Sequence, residues 1–223
     1  MMRKSKMKIM LLTSMVILIL LVFCVLLAGQ LKNNERKKDI IENNTEKQTK
    51  ENIVPDKFLQ SSAIKVDLLP VNDYSRPGIK VDGITAVVIH YVGNPGTTAA
   101  QNRSYFNNLA TLKNAYASSH YVVGLEGEII QCVPLDEIAY ASNNRNHDTI
   151  SIECCHEDAE GKFNQKTYDS LVELTAAICR TYGLMPEKDI IRHYDVTGKL
   201  CPVYYVKNEE EWYAFKLAVK NAM

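Results

Sequence analysis

The sequence predicts an α/β domain in which a central mixed β-sheet is flanked by helices, preceded by an N-terminal transmembrane helix and a disordered tether. Three observations carry this. Residues 84–92 (ITAVVIHYV) form a β-branched run that is apolar on both faces, as in a central strand covered by helices. Strand-like and helix-like segments alternate from about position 61 to the end, the pattern of a sheet layered with helices. Residues 9–29 are almost wholly apolar, while residues 30–60 are almost wholly polar.

Residues 1–8 form a basic head with Arg3, Lys4, Lys6 and Lys8. The stretch from Ile9 to Gly29 that follows is interrupted only by Thr13 and Ser14 and is long enough to span a bilayer. A cleaved signal sequence has a shorter apolar core of roughly 7 to 15 residues and a small-x-small exit. Here Leu26 stands two before Ala28, so an uncleaved anchor is expected, with a cleaved signal as the alternative. Charge does not orient the span, because Lys32, Arg36, Lys37 and Lys38 behind it match the four basic residues ahead of it. Residues 30–60 are rich in Asn, Glu and Lys and bury too little apolar surface to order themselves, which suits a flexible tether.

The region 61–223 is expected to hold one folded domain. After the first strand, Asn94, Pro95 and Gly96 break the chain, and Thr97 or Thr98 can cap a helix running to about Leu112. His120–Gly124 and Glu128–Val133 read as a hairpin turning through Leu125, Glu126 and Gly127. Thr149–Cys155 is the next strand. A helix over Gln165–Tyr182 ends at Gly183, Asp189–His193 is a short strand, and Glu209–Ala222 is an amphipathic closing helix.

The net charge of zero conceals an asymmetry. Residues 1–57 carry eleven Lys and Arg against six Asp and Glu, leaving fifteen against twenty over 58–223. An acidic domain with no basic run excludes a protein that tracks nucleic-acid phosphates. The six cysteines do not form a disulfide framework, since Cys24 lies in the apolar span and the other five are odd in number.

His90 stands at the end of the first long strand, His193 at the end of the last, and Cys201 follows His193 through a loop (HYDVTGKLC). Two imidazoles and a thiolate suit Zn2+, and three protein ligands leave the open position of a catalytic site. Taken singly, each reads more readily as a packed or surface residue than as a ligand, and no CxxC or HExxH spacing joins them. Alternation along the strand sends Ile150, Ile152 and Cys154 to the helical layer and Ser151 and Glu153 to the other side. It also sends Cys154 and Cys155 to opposite faces, which favours packing over a paired role.

Four segments taken together are more specific than any of these. They are AVVIHYVGNPG with Asn102, Tyr105 and Phe106 after it, SSHYVVGLEGEIIQCVPLDEIAYA, TISIECCHEDAEGKFNQKTYDSL, and IIRHYDVTGKLCP. In this order they resemble the type 2 N-acetylmuramoyl-L-alanine amidase family, which also includes phage lysozyme-type amidases and peptidoglycan recognition proteins, over roughly residues 66–215. The resemblance implies Zn2+ on His90, His193 and Cys201. It implies Glu153 as the group that deprotonates water and returns a proton to the leaving amine, and Lys199 as the cation beside the developing oxyanion. The implied reaction is hydrolysis of the amide between N-acetylmuramic acid and L-alanine in peptidoglycan; a non-catalytic peptidoglycan receptor is the alternative. A wall substrate places the domain outside the cell membrane with residues 1–8 in the cytoplasm, or secreted if the span is cleaved. Two departures stand out. Ser119 precedes His120 where some members carry a tyrosine, and Tyr140, Ala141, Ser142 and Asn143 replace a Trp-His-Ala-Gly run. His120 is expected to line the cleft as a substrate-binding residue or to serve as a structural hydrogen-bonding one; His147 and His156 are expected at the surface.

Because the span and tether offer the domain no apolar face, a fragment beginning near Pro55 should fold alone. A cooperative thermal transition in that fragment is the expected result. Its absence, with intact chain melting normally, would place part of the core upstream.

Overall fold

Six strands build one sheet in the order β1-β4-β3-β5-β2-β6. They are β1 (Ile64–Val66), β2 (Ala86–Tyr91), β3 (Tyr121–Val123), β4 (Ile129–Gln131), β5 (Thr149–Cys154) and β6 (Ile190–Arg192). The structure, a computed structural model, describes Lys32 and residues 53–223. The expected head, anchor and most of the tether lie outside the described residues. Among the described residues, no helix is long and apolar enough to cross a membrane.

Neighbouring strands run parallel except β3 and β4, which form the expected antiparallel hairpin. Strands β2 and β5 hold the centre because both faces of each are covered, so near-continuous apolar sequence is stable there. On one face Val87, Ile89, Ile150 and Ile152 pack against α2 (Gln165–Tyr182), through Leu171, Leu174 and Ile178. Trp212, Phe215 and Val219 of the closing helix, Glu209–Asn221, join the same cluster. On the other face Val122 and Ile130 meet Ala99 and Phe106 of α1 (Ala99–Leu112). Each fully buried aliphatic side chain contributes on the order of 1.5–3 kcal/mol, so truncating one in the β2–β5 centre removes a large part of a domain's net stability.

The helix boundaries have local causes. Thr98 closes a capping box with Gln101, satisfying the first orphan amides of α1. Asn164 accepts from Thr167 N at 2.9 Å to start α2, and Gly183, with φ of 66°, ends it in the left-handed conformation that Gly adopts without strain.

Four details differ from the sequence expectation. Strand β1 is only three residues long and pairs at the edge, too short for periodicity to reveal. Asp189 and His193 are not strand residues: α3 (Pro186–Asp189) and α4 (His193–Thr197) bracket β6, the second fixed by Asp195 Oδ2 accepting from Arg192 N at 2.8 Å. A further short helix, α5 (Val203–Lys207), precedes the closing helix, which is therefore α6. The ordered domain also begins before position 61, since Asp56 pairs with Arg180 at 2.8 Å while Phe58 and Leu59 pack on the core.

His120 is buried beneath this sheet, with Nδ1 accepting from Ser151 N at 3.0 Å and Nε2 2.9 Å from the Glu137 carbonyl. The acceptor role of Nδ1 fixes the Nε2–H tautomer. Burial pulls its pKa from 6.5 to about 4. A histidine depressed in the folded state gives stability that is complete above pH 6.5 and is lost as pH falls toward 4, about 3 kcal/mol in all. Urea unfolding of metal-free protein at both ends of that window should therefore show a smaller pH-dependent loss in His120→Gln than in wild type. Equal losses would contradict a buried neutral His120.

Candidate active site

The carboxyl ends of parallel strands β5, β2 and β6 lie side by side, the edge at which open α/β sheets gather their chemistry. His90 of β2 is paired in register with Glu153 of β5, and both lie on the face away from Ile89 and Ile152. On the other side of β2, Ile89 pairs with Arg192, so the next residue of that chain, His193, arrives beside His90. Their rings are 4.7 Å apart between centroids. Gly198, with φ of 76°, ends α4 and turns the chain back, and Tyr194 N donates to Cys201 O at 2.9 Å to close the loop. Cys201 Sγ thereby comes to 3.9 Å from His90 Nδ1.

One donor atom from each of His90, His193 and Cys201 lies within 4.8 Å of the others. All three side chains are buried. Burial, the neighbouring His193 and Lys199 hold the His90 pKa well below 6.5, and burial and Lys199 lower that of His193, so both imidazoles keep lone pairs for a ligand. Burial and the nearby Glu153 push the Cys201 thiol up to about 12. A cation is the one partner that reverses such a shift, because a coordinating thiol is deprotonated outright. The donor set of two neutral imidazoles and a sulfur fits zinc.

Glu153 borders the same cavity, a space of about 690 Å³ walled also by Tyr116, Tyr140 and Lys199. Its Oε2 is buried without a hydrogen-bond partner, and burial, opposed by Lys199, lifts the carboxyl to about 8. A carboxyl in that range exchanges protons near neutral pH. Lys199 is exposed on the loop between His193 and Cys201. Arg192 anchors the base of that loop, pairing with Asp195 at 2.8 Å and Glu209 at 2.7 Å and lying against the Tyr194 and Trp212 rings.

Five residues singled out in the sequence therefore meet: His90, Glu153, His193, Lys199 and Cys201. His120 does not join them. It is absent from the cavity wall, and both ring nitrogens are used internally, so the structural role replaces the substrate-binding one. His147 is exposed as expected, but His156 is buried against the Tyr91 ring at 5.0 Å with Nδ1 2.6 Å from Asp158 O. Cys154 and Cys155 sit in separate apolar clusters, as alternation requires. Sequence reasoning missed Ser142 and Asn143 as neighbours of the histidines: Ser142 Oγ is 3.2 Å from His90 Nε2, and Asn143 Oδ1 is 3.0 Å from His193 Nε2. These contacts bridge 52 and 50 residues, beyond any spacing rule.

Comparison with known proteins adds a second line. The family model described as N-acetylmuramoyl-L-alanine amidase matches residues 80–204. N-acetylmuramoyl-L-alanine amidase BlyA of Bacillus subtilis (strain 168) is 36% identical, with 70% of this chain and 46% of that protein covered. N-acetylmuramoyl-L-alanine amidase CwlL of Bacillus licheniformis is 34% identical over the same shares. The chain thus spans about half the length of these curated relatives. The catalytic domain of XlyA superposes with a TM-score of 0.59 at 25% identity, covering 70% of this chain and 98% of that one.

The donor set generates a direct test. Purified protein should carry about one zinc per chain, and Cys201→Ser should weaken zinc binding, since a hydroxyl is a far poorer ligand than a thiolate. Metal analysis after dialysis against a chelator series checks this. A Ser variant that retains zinc as tightly as wild type would remove Cys201 from the ligand set.

Proposed function

Because the chain belongs to the N-acetylmuramoyl-L-alanine amidase family, we propose that its cavity hydrolyses the amide bond between N-acetylmuramic acid and L-alanine in bacterial peptidoglycan. One observation carries the reading: three zinc-type donors converge beside a buried carboxylate that has no partner for one of its oxygens. His90, His193 and Cys201 would hold zinc, and zinc supplies a Lewis acid that polarises a carbonyl and acidifies water.

The chain's own groups then divide the work. Glu153 takes a proton from the attacking water and delivers it to the departing L-alanine nitrogen, which cannot leave as an anion. Its pKa of about 8 supports both halves of that exchange. Lys199 faces the negative charge that grows on the carbonyl oxygen as the tetrahedral intermediate forms. Tyr116 and Tyr140 line the cavity wall, Tyr140 at the position of the family tryptophan, and offer apolar faces to the substrate. A wall substrate further supports an extracellular catalytic domain, held at the membrane by residues 9–29 and reaching out on the residues that follow.

Glycosidic cleavage calls for two carboxylates flanking the sugar linkage, whereas among the described residues Glu153 is the one carboxylate in the cavity wall. Digestion of purified wall is therefore expected to release stem peptides with new L-alanine amino termini and no new reducing ends. Glu153→Ala should slow this by roughly 10² to 10⁴ while leaving zinc content unchanged. New reducing ends at a comparable rate, or cleavage confined to the stem peptide, would sink the assignment.

A further inference from the structure

The two residues that the sequence shows as a departure from the family pattern, Ser142 and Asn143, touch the two histidines of the proposed centre. Ser142 Oγ lies 3.2 Å from His90 Nε2, while His90 Nδ1 points toward Cys201 Sγ at 3.9 Å. Asn143 Oδ1 lies 3.0 Å from His193 Nε2. Adjacent residues of one short turn therefore meet the same nitrogen of both rings.

The turn is built to present them. Asn146 Oδ1 accepts from Ala141 N at 3.1 Å and from Ser142 N at 2.6 Å, tying the backbone ahead of the pair. Asn143 has φ of 53°, a left-handed conformation that Asn tolerates better than most residues, and it starts the 3-10 turn Asn143–Arg145. Ser142 is buried, so its hydroxyl has few alternatives to the His90 ring. An amide oxygen can only accept, so the Asn143 contact requires hydrogen on His193 Nε2 and leaves Nδ1 with its lone pair.

We propose that Ser142 and Asn143 form a paired clamp that orients the His90 and His193 rings, Asn143 fixing His193 as the Nε2–H tautomer, and aims both Nδ1 atoms at the metal. They are positioning residues, acting through the ligands and not on the substrate. The proposal rests on the metal-centre reading above. A metal-binding histidine whose remote N–H is held by an acceptor is oriented in advance and is a more basic ligand, and loss of such a partner costs 10- to 100-fold in affinity. One turn serves both rings here, so a single segment sets the geometry of two ligands.

Zinc affinity of metal-stripped protein, read by competition with a chromogenic chelator, is the primary measurement. Ser142→Ala and Asn143→Gly should each bind roughly 10- to 100-fold more weakly, whereas Asn143→Asp, which keeps an acceptor, should stay within about threefold. Glycine accepts the positive φ, so Asn143→Gly tests the side chain without backbone strain. Nitrogen-15 NMR of metal-free wild type should show His193 as Nε2–H, and Asn143→Gly should restore a mixture there. Affinities of both clamp variants within about twofold of wild type, or a dominant Nδ1–H form of His193, would overturn the clamp. Should Ser142→Ala fail to melt cooperatively, the Asn143→Gly and Asn143→Asp pair with the tautomer measurement decides. Wild type that binds no zinc at all would overturn the metal centre itself, a different result from wild-type binding with unaltered variants.

Discussion

The register of two central parallel strands governs the molecule. Val87 with Ile150 and Ile89 with Ile152 are paired across β2 and β5, and their burial against α2 leaves His90 and Glu153 paired on the opposite face. A slip of β5 by one residue would turn Glu153 into the apolar layer and Ile152 out of it, so the hydrophobic pattern that stabilises the sheet also fixes the site. Strand β6, paired on the far side of β2, delivers His193 to the same edge by the same logic. Cys201 depends on one more constraint, the short loop turned by Gly198 and tied at Tyr194 N.

That arrangement carries a desolvation cost, visible in four groups. Burial holds the histidines neutral, lifts the thiol to about 12 and lifts Glu153 to about 8. Each shift marks an ionic form disfavoured in metal-free protein. The thiol and carboxylate would both regain charge beside a divalent cation, so the features that destabilise the empty pocket favour a loaded one. The supporting polar groups are consistent with this division. Arg192, Asp195 and Glu209 are satisfied among themselves and hold the loop, Ser151 satisfies His120, and Ser142 and Asn143 meet His90 and His193, whereas Glu153 Oε2 is left unpaired beside the cavity.

Much of this was legible in the chain because it follows from periodicity and local caps. The β-branched run at 84–92, the alternation at Ile150 to Cys154 and the punctuation at Thr98 and Gly183 all report on nearest neighbours. The convergence of His90, His193 and Cys201 was legible only through its motif context, as two histidines and a cysteine at unrelated spacings carry little signal alone. What escaped is what tertiary contact decides. His156 sits among charged residues yet buries its ring against Tyr91. The chain before position 61 is polar on average, yet Asp56 is claimed by Arg180 across 124 residues. The contacts of Ser142 and Asn143 come from a turn whose partners lie 50 residues away in either direction of the chain.

The central claim is that His90, His193 and Cys201 together bind zinc, and X-ray absorption at the zinc edge of the loaded protein tests it most directly. The account predicts one sulfur at about 2.3 Å and two imidazole nitrogens at about 2.0–2.1 Å, with a light-atom ligand completing four-coordination. A shell of nitrogen and oxygen without sulfur, or one with two sulfurs, would contradict it.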